Sequence, residues 1–238
     1  MGFLSWWWGV SGIEQRCVLC HDYAVSDGLC LACAADVLEL RIDPSTTCPS
    51  CASMSTGGVG CGKCQQRPPP FERLWTSVYY APPISSMIYA FKHRADLSML
   101  LPLGRLMLAH PPPWLGDVNI DTVLAVPLSK ERRLFRGFNQ SEGLAEAIGR
   151  VYGWPVLSHH RVFRRHHVPQ SLLKRKERRK NVKNAFVIEK QYVNKRKILL
   201  VDDVATTGAT LEELARTLKA AGADAVFCWA LSHPPMKK

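Results

Sequence analysis

The stretch from Ile198 to Leu211, Ile-Leu-Leu-Val-Asp-Asp-Val-Ala-Thr-Thr-Gly-Ala-Thr-Leu, leaves the chain few folds to choose from. Ile198 to Val201 are consecutive branched apolar residues, which suits a parallel strand covered on both faces. Asp202 and Asp203 stand where that strand ends, and open α/β sheets bind ligands at the carboxyl ends of strands. Thr206, Thr207, Gly208, Ala209 and Thr210 then offer hydroxyls and unpaired backbone N–H groups. Such N–H groups, at the positive end of a following helix, favour a phosphate. Thr210 with Glu213 has the form of a capping box; Leu211, Leu214, Ala215 and Leu218 recur at helical spacing, and Gly222 closes the helix. An ordinary strand–turn–helix would share this periodicity. Two adjacent carboxylates beside an anion cradle set this one apart.

A length of 238 residues accommodates one ordinary domain and a small module, and 47% hydrophobic residues provide for a core. The net charge of +11 is unevenly spread: residues 1–66 hold three Lys/Arg against six acids, a balance of −3, so the remainder carries +14. An anionic partner is expected on the larger, C-terminal part.

Eight of the nine cysteines fall in four Cys-x-x-Cys pairs. Cys17/Cys20 and Cys30/Cys33 are separated by nine residues; Cys48/Cys51 and Cys61/Cys64 are again separated by nine. Two pairs complete a tetrahedral zinc site, so the equal gaps predict two sequential four-cysteine ribbons, with an interleaved arrangement as the alternative. No secretory leader is visible after Met1, and the apolar stretch Phe3 to Val10, with Trp6, Trp7 and Trp8, is far too short to span a bilayer. The expected setting is therefore cytoplasmic, without membrane insertion, where disulfides, the other reading of the cysteines, are disfavoured. Four thiolates leave no open coordination position, which argues for structural rather than catalytic zinc. Two such sites at a formal −2 each would take the module to about −7, making it a poor nucleic-acid partner by itself. Cys228, inside the apolar run Ala225 to Leu231, reads as a small buried hydrophobe.

Arg67-Pro-Pro-Pro70 reads as a stiff connector, which divides the chain into a cysteine-rich module (1–66), a linker (67–70) and an α/β domain (71–238). In that domain Trp75 to Tyr80 resembles a strand, and Ile84, Met87, Ile88 and Phe91 give a helical stripe ending in Lys92, His93 and Arg94. Those cations either complement the helix C-terminus or reach an anionic substrate. A further helix is expected over Leu97 to Leu108, and a strand over Val123 to Val126. The loop from Leu128 to Gln140 then carries Ser129, Lys130, Arg132, Arg133 and Arg136. A basic loop at a strand end would hold a pyrophosphate, because the planar fork of Arg pairs phosphate oxygens bidentately; a merely solvated loop is the alternative. Asn139 with Glu142 can cap the next helix, whose apolar face is Leu144, Ala145 and Ile148. Arg161 to Lys183 holds ten Lys/Arg and one acid. It reads as an exposed segment, as a lid over the site, or as a track for single-stranded nucleic acid with Phe163, His166, His167, Phe186 and Tyr192 for stacking. Ala185 to Ile188 is a short apolar run. The chain ends soon after the last strand, so no C-terminal cap over the sheet is expected.

The strand, Asp-Asp and Thr-Thr-Gly-x-Thr loop resemble the phosphoribosyl-pyrophosphate (PRPP) motif of type I phosphoribosyltransferases. Arg136-Gly-Phe-Asn-Gln140 behind Val126-Pro-Leu128, together with Gln170-Ser-Leu-Leu173, Arg178, Asn181 and Ala185-Phe186, is similar to the ComF family of competence proteins, as are cysteine pairs ahead of such a domain. The resemblance runs from about Cys17 to Leu231. It implies a mostly parallel type I phosphoribosyltransferase-like sheet flanked by helices behind a double zinc ribbon. It implies PRPP with Mg²⁺ as ligand, a link to DNA uptake and natural transformation, and other competence proteins or single-stranded DNA as partners. It assigns Asp202 and Asp203 to the ribose hydroxyls, directly or through Mg²⁺, residues 205–210 to the 5′-phosphate, and Ser129 and Lys130 with the nearby arginines to pyrophosphate. Turnover of PRPP on an unidentified acceptor, non-catalytic binding of PRPP or nucleic acid, and nucleobase salvage all stay open. No base-recognition hood is evident, so residues 71–110 or the zinc module are the candidates to roof the site; the expectation here is the zinc module.

Overall fold

The computed structural model describes residues 15–24, 28–164 and 185–235. Four strands, β1 (Arg73–Tyr79), β2 (Thr122–Ala125), β5 (Lys197–Val204) and β6 (Ala225–His233), form one sheet in the order β1-β6-β5-β2. All three of its pairings are parallel. A separate antiparallel pair joins β3 (Val162–Arg164) to β4 (Phe186–Ile188). The helices are α1 (Leu31–Leu38), α2 (Gly62–Gln66), α3 (Ile84–His93), α4 (Leu100–Ala109), α5 (Lys130–Arg136), α6 (Gln140–Tyr152) and α7 (Ala209–Ala220).

Side-chain alternation assigns the two faces of the sheet. Val123, Ala125, Leu199, Val201, Phe227 and Trp229 point to one side, against α3, α4 and α6. Leu124, Val126, Ile198, Leu200, Val226 and Cys228 point to the other, against Leu211, Leu214, Ala215 and Leu218 of α7. Ile198 to Val201 are each fully buried, as a strand covered on both faces requires. The expected α/β architecture with a mostly parallel sheet is the one observed.

The chain leaves β2 and β5 in opposite directions. After β2 it crosses the first face through α6, and Val156 then forms a parallel bridge with Val123 on the outer side of β2. After β5 it crosses the second face through α7 to β6. A crevice opens between the carboxyl ends of two such strands, and ligands of open α/β sheets bind there.

The cysteine-rich part lies along β1, at the far edge of the sheet. Ile42 donates its N–H to the Ser77 carbonyl at 3.1 Å, and Tyr79 donates to Leu40 at 2.8 Å, around an antiparallel bridge between Arg41 and Val78. The Leu74 N–H reaches Pro49 at 3.1 Å, and Val37 and Ile42 are buried in the same core as Trp75 and Val78.

Two elements differ from the sequence reading. The segment expected as a basic loop folds as α5, with the Ser129 hydroxyl accepting from the Arg132 N–H at its start and Gly137 (φ 80°) in the left-handed region at its end. Thr210, expected as the cap of the following helix, lies inside it, because α7 begins at Ala209 behind Gly208, itself left-handed at φ 71°. The Ala209 N–H instead reaches the Thr207 hydroxyl at 3.4 Å. Pro102 is accommodated in the first turn of α4, where its missing N–H costs no helical hydrogen bond.

Candidate functional site

The crevice between β2 and β5 is a cavity of about 360 Å³. Its floor is Asp202 and Asp203 at the end of β5, and one wall is the whole turn from Val204 to Leu211. The predicted residues Ala205, Thr206, Thr207, Gly208, Ala209 and Thr210 are thus brought beside both carboxylates. Arg132 and Arg136 of α5 line the opposite wall, with Asn139, Gln140 and Ser141 at the start of α6. Three other predicted residues are placed elsewhere. Ser129 is buried as the α5 cap, Lys130 is exposed, and Arg133 is ion-paired with Glu142.

Asp202 is held in place by its neighbours. Its Oδ1 accepts from the Ser141 hydroxyl and from the Asp203 N–H, each at 3.0 Å. Burial, and then the adjacent Asp203 carboxylate, push Asp202 up to about 7, although Lys92 and these hydrogen bonds favour its ionised form. The side chain keeps part of its surface open to the cavity. Asn139 caps α6 by accepting from the Ser141 N–H at 3.2 Å, and donates to the Val126 carbonyl at 3.1 Å. One side chain therefore ties the start of α6 to the end of β2 and aims Ser141 at Asp202.

Several cavity residues were not singled out as site residues from sequence. Lys92 reaches Asp203 Oδ1 at 2.8 Å, and His93 and Tyr80 line the wall beside it. Lys92 and His93, which the sequence leaves open between cations at a helix end and contacts to an anionic substrate, are both carried into the site by the last turn of α3. Arg164 lines the cavity with its guanidinium 5.5 Å from the Phe186 ring centroid. Burial, reinforced by Arg132, lowers Arg164 to about 10, while Asp202 opposes the shift. Burial and Arg136 likewise lower Arg132. His93 is lowered by burial and by Arg136 and Lys92. Among the described residues none of Arg132, Arg136 and Arg164 is paired with a carboxylate. Desolvated, mutually repelling cations of this kind are suited to an anion. No single motif shows this cluster, because it is assembled from α3, α5 and β3.

The β3–β4 pair sets Arg164 opposite Phe186. From residue 165 the expected lid or nucleic-acid track lies outside the described residues, as do His166, His167, Gln170 to Leu173, Arg178, Asn181 and Phe3 to Val10. Among its described residues the cysteine-rich module does not roof the site. Among the described residues no cavity-lining residue precedes Tyr80, because the module is committed to the β1 edge, while the 71–110 segment supplies Tyr80, Lys92 and His93.

The cysteines group in sequential order, Cys17/Cys20/Cys30/Cys33 and Cys48/Cys51/Cys61/Cys64, with the sulfurs of each group within 4.8 Å of one another. A tetrahedral site with metal–sulfur bonds of about 2.3 Å needs sulfurs about 3.8 Å apart, so the spacing fits zinc. Cys20 and Cys30 are 3.5 Å apart, far beyond a bonded pair. N–H groups point at the sulfurs: Cys33 at Cys30 (3.4 Å) and Cys61 at Cys48 (3.3 Å). Burial opposes ionisation of Cys17 and Cys61, but N–H and thiol donors outweigh it and bring them to about 6 and about 7. Burial and crowding by the other sulfurs push Cys33 and Cys64 up. Four thiols that cannot all ionise together are what a bound dication would relieve.

A mostly parallel α/β sheet with this cavity at its switch point defines a phosphoribosyltransferase-like protein, and the phosphoribosyl transferase domain model matches residues 158–236. The chain is 36% identical over 208 residues to DNA utilization protein YhgH of Escherichia coli K12, covering 86% of this chain and 89% of that protein. It is 28% identical over 226 residues to competence protein F of Haemophilus influenzae, covering 92% and 96%. It is 36% identical over 117 residues to competence protein ComFC of Streptococcus pneumoniae, covering 45% and 46%. The chain belongs to the ComF family of competence proteins. A solved allosteric regulatory enzyme of purine biosynthesis overlays 54% of this chain and 24% of its own at TM-score 0.36 and 20% identity, too loose a likeness to bear on function.

Proposed function

We infer that this protein binds PRPP and transfers its phosphoribosyl group, with pyrophosphate leaving, in a process linked to DNA uptake. One observation carries the reading: a carboxylate pair, a loop of N–H donors and arginines that pair with no carboxylate among the described residues meet in a single cavity at the switch point of the sheet. The 5′-phosphate would lie on residues 205–210 at the start of α7, where N–H groups and the helix dipole favour an anion. Asp202 and Asp203 would take the ribose hydroxyls. Arg132, Arg136 and Arg164 would face the pyrophosphate, with Lys130 and Arg133 close by on α5 and Ser129 fixing the start of that helix.

In the reaction the bond from C1 to the pyrophosphate oxygen breaks, a bond from the acceptor's nucleophilic atom to C1 forms, and the acceptor loses its proton. The departing group takes up negative charge that the fixed arginines stabilise, while positive charge at C1 is favoured by the nearby carboxylates. Both carboxylates are hard oxygen donors that suit Mg²⁺, which, when bound with PRPP, would neutralise phosphate charge. In this reading the two four-cysteine sites hold structural zinc, and 67–70 divides a zinc module from the catalytic domain.

A second reading is favoured by α5. Leu134 and Phe135 are 74% and 88% exposed on α5, between the cavity-lining Arg132 and Arg136 in sequence. An apolar, aromatic surface set in positive charge suits the bases and backbone of single-stranded DNA, as the acceptor or as a ligand bound without turnover. The test is pyrophosphate release from PRPP with Mg²⁺ across a panel of bases, amines and single-stranded DNA. Release that falls at least a hundredfold in Asp203→Asn supports the enzyme. PRPP binding without release on any acceptor supports a sensor, and the absence of PRPP binding overturns both. DNA affinity that does not fall with rising salt would sink the DNA reading.

A further inference from the structure

The contact between Lys92 and Asp203 is at odds with a site that is to take a divalent cation. Lys92 stands in the last turn of α3, which is held by the buried Ile84, Met87, Ile88 and Phe91. Phe91 packs on Phe138 with ring centroids 5.3 Å apart, which ties that turn to the segment before Asn139. The ammonium is thereby delivered across the cavity to Asp203 Oδ1 at 2.8 Å, with the two side chains only 19% and 12% exposed. Of the oxygens a cation would use, Asp203 Oδ1 is taken by Lys92, and Asp202 Oδ1 by Ser141 and the Asp203 N–H. The opposite wall is cationic as well, with Arg132 and Arg136 facing the same space.

On the reading that this cavity takes PRPP, we propose that Lys92 is a tethered cation that occupies the carboxylate pair until the substrate arrives, so that a divalent cation enters with the phosphorylated sugar rather than before it. A bare dication approaching Asp203 must displace an ammonium from a partly shielded ion pair, and it meets only repulsion from the arginines. A pyrophosphorylated sugar reverses both effects. Its phosphates attract the arginine wall and give the ammonium a new partner within reach of its flexible stem. Lys92 is thus a positioning residue for the cation and a binding residue for the substrate's anionic groups.

The test measures Mn²⁺ binding to the full zinc-loaded chain by electron paramagnetic resonance, with and without PRPP, beside calorimetric PRPP binding. The wild type is expected to bind Mn²⁺ weakly alone and at least tenfold more tightly with PRPP. Lys92→Met keeps the stem but not the charge. It should bind Mn²⁺ alone at least tenfold more tightly than wild type and bind PRPP at least tenfold more weakly. Lys92→Arg should restore the weak Mn²⁺ binding, and adding Asp203→Asn to Lys92→Met should remove the gain. Lys92→Gln serves in place of Lys92→Met if the latter fails to fold. Unchanged or weaker Mn²⁺ binding in the charge-removed variant overturns the proposal. If the wild type binds no PRPP, the functional reading fails while the Mn²⁺ comparison still decides whether Lys92 screens the carboxylates.

Discussion

Asp202 shows how the site taxes the fold. Its ionised form is disfavoured in the folded chain by burial and by Asp203, and its folded value near 7 stands above the ordinary 3.8. Below about pH 4 both folded and unfolded chains hold the proton, and the group costs nothing. Between pH 4 and 7 the unfolded chain ionises first, so stability falls as pH rises, and the loss is complete above pH 7. Asp202→Asn should therefore match the wild type near pH 4 and unfold at a higher temperature near pH 8; thermal scans without divalent cations at both pH values measure this. At this scale the sequence was legible where the chemistry is contiguous. The acid pair and the loop to Thr210 could be read directly, whereas Lys92, His93 and Arg164 acquire meaning only when α3 and β3 arrive from elsewhere in the chain.

Among the elements at the cavity, α5 is one that the sequence concealed. A helix is read from an apolar stripe, and α5 has none: Leu134 and Phe135 are adjacent, and both face solvent. Its ends are set by Ser129 as the cap and Gly137 as the stop. The neighbouring α6 was legible because Leu144, Ala145 and Ile148 recur on one buried side. What the pattern could not give is how closely α6 is seated. A methyl group at Gly149 would lie 2.6 Å from Val156 Cγ2 and 2.8 Å from the Trp154 carbonyl oxygen. Because the second of these is backbone, relief requires the segment beside β2 to move. Gly149→Ala should cost about 1–3 kcal/mol in urea unfolding. It should also weaken PRPP binding, since the other end of α6 places Ser141 on Asp202.

For the whole molecule, the decisive arrangement is the cysteine-rich part laid along β1. The grouping of eight cysteines was readable from their spacing, but their distance from the cavity was not, because no local signal says which edge of a sheet a module will cover. The purified chain should hold two zinc equivalents by elemental analysis. Stripping them with a strong chelator should lower the unfolding midpoint by about 10 °C or more, because metal binding supplies folding free energy to a module with little core of its own. Light scattering should rise at the same time, since the hydrogen bonds from Ile42 and to Leu40 are what occupy the outer side of β1. A genetic screen for lost function would then return two kinds of allele that look alike on a plate. Aspartate alleles would leave abundant protein without its chemistry. Cysteine alleles would leave an intact cavity in a chain that is lost to inclusion bodies, and growth at low temperature or excess zinc would rescue only weak members of this second kind.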